Sequence, residues 1–285
     1  MAQTSGRAIV PVLASCGLVA SFMQTLVVPL IPAFPKLLNA SATDASWVVT
    51  VTLLAGAIIT PVAGRLGDLY GSARRPVLFT NLASILVGFS MYAMALSFPQ
   101  LLQAPSATGY GLGRTMVQAG LCLAPNGLVM MALSPVSARL TNRHGARVTL
   151  MTGSVVIALG YVFAILLMDN VVELITASVI IGAGVGIAYA AMPALIMGSV
   201  PVTETASANG LNALMRSVGT STSSAVMATL LANLTITVGA LTVPSLAGFR
   251  TTFAAAAVAA VIGLGLTALV PRVRAKTAAP EPAAV

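Results

Sequence analysis

Few residues of this chain are equipped for chemistry, and they gather at a handful of places. Of 285 residues, 14 are Lys or Arg, 6 are Asp or Glu and one is His. The densest group lies at 61–75, where Arg65, Asp68, Arg74 and Arg75 stand among Gly64, Gly67 and Gly71. A carboxylate in such a loop can accept hydrogen bonds from a helix N-terminus, whose unpaired N–H groups carry partial positive charge. Asp68 is therefore a candidate latch, set against the plainer reading of a solvated anion among basic neighbours. A second group holds Arg139, Asn142, Gly145 and Arg147, with His144 between them. Arg216 lies just before a long apolar run. An arginine in a membrane span marks a functional site by default, and the competing reading is a side chain that snorkels to the interface. Gln24, Asn81, Gln118 and Asn126 are uncharged polar residues in apolar stretches. They could line a cavity, although hydrogen bonding between helices is the commoner use of such groups. Cys16 and Cys122 lie in apolar runs, which speaks against a disulfide framework or metal cluster. No nucleophile–base pair occurs, so neither an enzyme nor a cofactor is expected.

The elements that hold these residues follow from composition. Hydrophobic residues make up 58 % and charged residues 7 %, where about 25 % charged is usual for a soluble domain. Twenty charged side chains cannot cover the surface of a soluble protein this size, and disorder needs the opposite balance. Charge-free runs of at least 20 residues occupy 8–35, 45–64, 76–113, 115–138, 148–168, 174–203, 217–249 and 251–271. A bilayer-spanning helix needs about 20 apolar residues, so eight transmembrane helices, spans A to H, are expected. Period-two alternation is missing, which excludes a membrane β-barrel.

Charge placement orients the chain. An even number of spans puts both termini on one side. If that side is the cytoplasm, Arg7, Arg65, Arg74, Arg75, Arg139, Arg143, Arg147, Arg216, Arg272, Arg274 and Lys276 lie inside, and Lys36, Arg114 and Arg250 outside. Eleven against three follows the positive-inside rule. The net charge of +8 thus reports membrane topology rather than nucleic-acid binding. The expected setting is the plasma (inner) membrane, multi-pass, with both ends cytoplasmic.

Two inner loops repeat at an offset of 74 residues. Pro61-Val-Ala-Gly-Arg65-Leu66-Gly-Asp68-Leu-Tyr-Gly71 and Pro135-Val-Ser-Ala-Arg139-Leu140-Thr-Asn142-Arg-His-Gly145 agree at five of eleven positions, and Asp68 meets Asn142. Each follows a span descending to the cytoplasm. Parallel repeats about an axis along the membrane normal are one of the two repeat designs of secondary transporters.

The first loop, Gly64-Arg65-Leu66-Gly67-Asp68-Leu69-Tyr70-Gly71-Ser72-Ala73-Arg74-Arg75, resembles the signature G-x-L-x-D-r-x-G-r-(k/r)-(k/r) of the major facilitator superfamily. The loop at 135–147 resembles that family's second-half counterpart. Phe98 to Gly113, Ala119 to Pro125 and Ala206 to Gly219 are similar to its 14-span multidrug:proton antiporter branch. The resemblance implies an all-α transporter exporting small amphipathic compounds or drugs by alternating access, in exchange for protons, with Gly64, Arg65, Asp68, Gly71, Arg74 and Arg75 forming an inner gate. It implies that Asp68 latches the two halves, with the start of span G near Ala208–Asn212 as the receiving terminus. The branch's span-A pattern D-x-T-x-V-N aligns with Met23 to Val28, so its acid and its amide are Met23 and Val28 here.

Family members have 12 or 14 spans. The two signature loops should be a whole half apart, yet here one pair of spans separates them. The expected organisation is therefore partial. Residues 1–75 are a remnant of the N-terminal bundle, 76–271 a six-helix C-terminal bundle (spans C–H), and 272–285 a cytoplasmic tail. The alternative is a transport-inactive remnant or an accessory membrane subunit. Dimerisation is one way to cover the face that a missing half would leave bare.

Overall fold

The structure, a computed structural model, describes residues 75–239 and 241–270. Spans A and B, Gln24 and the loop residues Gly64, Arg65, Asp68, Gly71 and Arg74 lie outside the described residues, and of Arg75 only the backbone is described.

Helix α1 runs over Arg75–Gln103. Pro76 stands in its first turn, where the missing N–H costs nothing. Helix α2 spans Met116–Ala132 and starts with a reciprocal cap, Thr115 with Gln118. Leu133 separates it from α3, Ser134–His144, and the two together form one membrane-length run over Met116–His144. Gly145, at φ +86°, turns the chain into α4, Ala146–Leu166. That φ is the left-handed region in which a Cβ is strained, so the loop's Gly145 has a backbone reason. Helix α5, Val171–Met197, opens with a capping box of Asn170 and Glu173. Helix α6 covers Thr205–Asn233. A hairpin follows: β1, Thr235–Val238, pairs antiparallel with β2, Leu241–Pro244, in the register Thr235↔Pro244 to Val238↔Leu241. Helix α7, Leu246–Ala268, is capped by Ser245.

Five membrane-length apolar helices are found among the described residues: α1, the α2–α3 run, α4, α5 and α7. In chain order these five correspond to spans C, D, E, F and H, and α6 stands where span G is expected. The boundaries depart most at span G. The charge-free run 217–249 merges the second part of α6, the hairpin and the start of α7, and it omits the first twelve residues of α6 because Arg216 interrupts it. The helix instead starts at Thr205. Its hydroxyls explain how so polar a helix persists: Thr220, Thr222 and Thr229 donate to the carbonyls of Ser217, Val218 and Ala225, at 2.8–2.9 Å, so these hydroxyls are satisfied within the helix itself.

Helix α4 lies against α5 and α7, α1 against α6, α7 and α5, and α2 against α5. Small residues set these crossings. On α5, Gly182 and Gly186 receive α2: a Cβ at Gly182 would stand 1.6 Å from Asn126 Oδ1, and one at Gly186 3.0 Å from the Met130 backbone. This small-xxx-small pair lets the two helices approach closely. Gly184 meets Gly153 of α4 in the same way. The α1–α4–α7 contact is aromatic, with Phe98 and Phe253 ring centroids 5.2 Å apart and Tyr161 and Phe253 6.2 Å apart. Tyr161 donates to the Ser90 carbonyl and Ser90 Oγ to that of Ala256. At the hairpin end, Tyr110 donates to the Pro244 carbonyl and lies edge-on to Phe249. Partial burial and the loss of water push its phenol pKa above the usual 10.0, against the Thr108 hydrogen bond that lowers it.

Candidate functional site: a polar node in the bundle

The most connected polar group lies where α1, α5 and α6 meet. Asn212 of α6 is buried. Its amide nitrogen donates to Asn81 Oδ1 at 3.0 Å and to Ser84 Oγ at 2.6 Å, both on α1. Its amide oxygen accepts from Arg216, one turn on, at 3.0 Å. Ser84 also reaches the Thr80 carbonyl at 2.8 Å and Met192 Sδ of α5 at 3.2 Å. The Arg216 guanidinium lies over the ring of Tyr189, on α5, 4.7 Å from its centroid. The Tyr189 hydroxyl reaches Met91 Sδ of α1 at 3.2 Å.

Two glycines permit this approach. A Cβ on Gly88 would stand 2.5 Å from the Arg216 carbonyl oxygen, and one on Gly219 1.9 Å from that of Ile85. With neither side chain present, α1 and α6 touch backbone to backbone, and short amide side chains can bridge them.

The position of Arg216 along α6 bears on its two readings. It is the twelfth residue of a 29-residue helix. At 1.5 Å per residue its Cα lies about 17 Å from the start of a helix about 43 Å long. A centred helix would place it about 10 Å into a hydrocarbon layer about 30 Å thick. Its guanidinium is engaged by Asn212 and Tyr189 rather than reaching back along an outer face. No Asp or Glu lies in the interior of any described span: Asp169 is between α4 and α5, Glu173 caps α5, and Glu204 directly precedes α6.

The other sequence candidates are dispersed. Gln118 is exposed and serves the capping box of α2. Asn126 is half-buried on α2, with its Oδ1 pressed against Gly182 and without a hydrogen-bond partner among the described residues. Arg139 and Asn142 are exposed on α3. Arg147, at the start of α4, donates to the Ala268 carbonyl at 2.5 Å, so the cation sits on the negative C-terminal end of α7. The structure brings Asn81 and Arg216 together and leaves Gln118, Asn126 and the basic loop elsewhere. Tyr189 and Ser84 belong to the node and are not among the sequence candidates. A tyrosine in the run Ile187-Ala-Tyr189-Ala was the available signal, since a buried phenol usually finds a polar partner. Among the described residues no cluster of His, Cys, Asp and Glu could hold a metal ion.

A multi-pass bundle of apolar helices with a polar centre is a membrane-protein fold, and its relatives define its class. The sequence pattern of the Major Facilitator Superfamily matches residues 13–113 and 80–284. The chain belongs to that superfamily. It is 37 % identical over 102 residues to an uncharacterized MFS-type transporter of Mycobacterium tuberculosis, covering 36 % of this chain and 14 % of that protein. It is 28 % identical over 147 residues to the multidrug resistance protein Stp of the same species, covering 51 % of this chain and 26 % of that one. A solved POT family transporter in complex with 5-aminolevulinic acid superposes with TM-score 0.54 at 13 % identity, over 91 % of this chain and 55 % of that one. The chain thus matches a minor part of the curated relatives' length and about half of the solved structure. Family and fold together make it a multi-pass membrane protein of a transporter family.

Proposed function

We propose that the protein is a secondary active transporter that exports small amphipathic compounds by alternating access. The observation that carries this reading is the Asn81–Ser84–Asn212–Arg216–Tyr189 node. Polar and charged groups are expensive within a membrane and mark substrate or ion pathways. The name of the Stp relative supports multidrug export. In this reading residues 1–75 belong to the N-terminal bundle, 76–271 form the C-terminal one and 272–285 the tail. Asp68 accepts hydrogen bonds at the start of α6, which at Thr205 lies ahead of the Ala208–Asn212 stretch expected from the sequence, and Arg65, Arg74 and Arg75 keep the loop in the cytoplasm together with Arg139, Asn142, Gly145 and Arg147. Both termini face the cytoplasm across the plasma membrane. Protons are the proposed coupling ion, although span A lacks the branch's acid.

A second reading, a transport-inactive remnant or an accessory subunit, is favoured by α2. Its only buried residue is Ala119, while Met116, Val117, Leu121, Leu128 and Met131 are exposed, a surface that a partner chain or second copy would cover. Drug accumulation in cells expressing this chain alone, beside an Asp68→Asn variant, separates the two. Export predicts less drug than in empty-vector cells, with the deficit lost on Asp68→Asn. Equal levels in all three lines would remove the transporter reading and leave the second.

A further inference from the structure

We infer that Arg216 selects for a carboxylate on the transported molecule, so that the preferred substrates are amphipathic acids rather than cations. The inference rests on the transport reading above. It starts from an imbalance. Arg216 stands three turns inside α6, yet among the described residues it is engaged by the Asn212 amide and the Tyr189 ring. Both orient a guanidinium and neither neutralises it. The described carboxylates stand at helix ends, and Glu204, at the N-cap of the same helix, is about 18 Å away along its axis. A cation partly withdrawn from water without an anion is costly, and a substrate carboxylate would relieve that cost.

The geometry suits the task. Guanidinium is a planar fork of five N–H donors that matches a carboxylate through two parallel bonds. The Asn212 oxygen takes one donor, and the Tyr189 ring holds the plane. Asn212 is itself fixed by Asn81 and Ser84, so the fork is held in place before any ligand arrives. Arg216 and Tyr189 are half-buried whereas Asn212 and Asn81 are buried, so the accessible side of the node is the cationic one. Next to it, α6 carries Ser217, Thr220, Ser221 and Ser224, all exposed or half-buried. The Thr220 hydroxyl bonds to its own helix, so this face presents small hydroxyl groups and, among the described residues, no competing anion.

The test uses two dyes of nearly the same size and shape, the carboxylic acid rhodamine 110 and its methyl ester rhodamine 123. Binding to the detergent-purified full chain is read by fluorescence polarisation. The expected result is tighter binding of the acid by about 10- to 100-fold, the range for gaining charge-assisted hydrogen bonds. That ratio should collapse to about one in Arg216→Gln. It should also collapse in Asn212→Asp, which puts a permanent carboxylate at the position that now accepts from Arg216. Arg216→Lys should keep part of the preference, having charge without the fork. Each variant is required to elute as the wild type does on size exclusion, and Arg216→Lys and Asn212→Asp retain polar groups in the node if Arg216→Gln does not fold. Phosphatidylglycerol is titrated into the same samples. Competition by the lipid at equal mole ratio would assign the site to a headgroup and overturn a solute carboxylate. Equal or tighter binding of the ester, or a ratio unchanged by Arg216→Gln and Asn212→Asp, overturns the inference and leaves the transport reading standing. Binding of neither dye to the wild-type chain overturns both.

Discussion

Gly219→Ala is the sharpest probe of the α1–α6 contact on which the node depends. The added Cβ would sit 1.9 Å from the Ile85 carbonyl oxygen and 2.8 Å from its carbon. These are backbone atoms, so no rotamer change relieves the clash. The helices must part by about 1 Å to reach the 3.0 Å below which real Cβ contacts essentially do not occur. Forcing extra atoms into a packed contact costs about 1–3 kcal/mol. Two turns away the parting stretches the Asn212 bonds to Asn81 and Ser84, now 3.0 and 2.6 Å, each worth about 0.6 kcal/mol within a membrane. Against this, alanine is about 1 kcal/mol better than glycine in a helix. The net is a loss of about 1–3 kcal/mol. At about 2–4 °C per kcal/mol for a chain of this order, the unfolding midpoint of the detergent-purified protein should fall by about 2–12 °C. Gly210→Ala, in the same helix, is the control. No described residue lies within 4 Å of its Cβ, so the midpoint should hold or rise. Equal midpoints for the two variants would show that α1 and α6 do not cross at Gly219, and the node would lose its basis.

Three further outcomes are expected. Tyr189→Phe should keep the aromatic face beneath Arg216 and cost little, whereas Tyr189→Leu removes a cation–π contact worth about 0.5–2 kcal/mol; thermal midpoints of the two variants check this. Arg147→Gln should free the last carbonyls of α7, losing about 0.3–1 kcal/mol of charge–dipole interaction. Amide exchange should rise in the last turn of α7 and stay unchanged in α5. The Tyr110 contact with the hairpin should be fully present below pH 10, where the phenol is neutral in folded and unfolded chains alike. It should weaken as pH rises above that value toward the raised folded pKa, and Tyr110→Phe should remove this alkaline loss when stability is followed from pH 9 to 12.

Much of the fold can be read from the charges because a span tolerates few of them. Spans C, E, F and H reappear as α1, α4, α5 and α7 with shifted ends; at the starts of α4 and α7 the shift arises because a cation stands inside the helix, Arg147 as its second residue and Arg250 as its fifth. Span G misled for the same reason in stronger form. Arg216 is held by Asn212 and Tyr189, contacts that a run of charge-free residues does not reveal, and the hydroxyls of α6 lower its apparent hydropathy although they bond within the helix. The hairpin was hidden because Thr235–Val238 and Leu241–Pro244 are as apolar as a span end. The node was half legible. Asn81 and Arg216 stood out as polar types in apolar surroundings, but their common partner Asn212 is 131 residues from Asn81, and that pairing exists only once Gly88 and Gly219 let the helices touch. Gln118 looked much like Asn81 in composition, yet its place three residues after Thr115 gives it to a helix cap.

The central claim, that this chain moves small amphipathic molecules across a membrane, is tested most directly by flux through the purified protein alone. Full-length chain in liposomes, loaded on one side with an amphipathic dye, should give a saturable, time-dependent flux above that of protein-free vesicles. Asp68→Asn should slow it. Dye release identical to protein-free vesicles, from protein shown to be folded and inserted, would contradict the account.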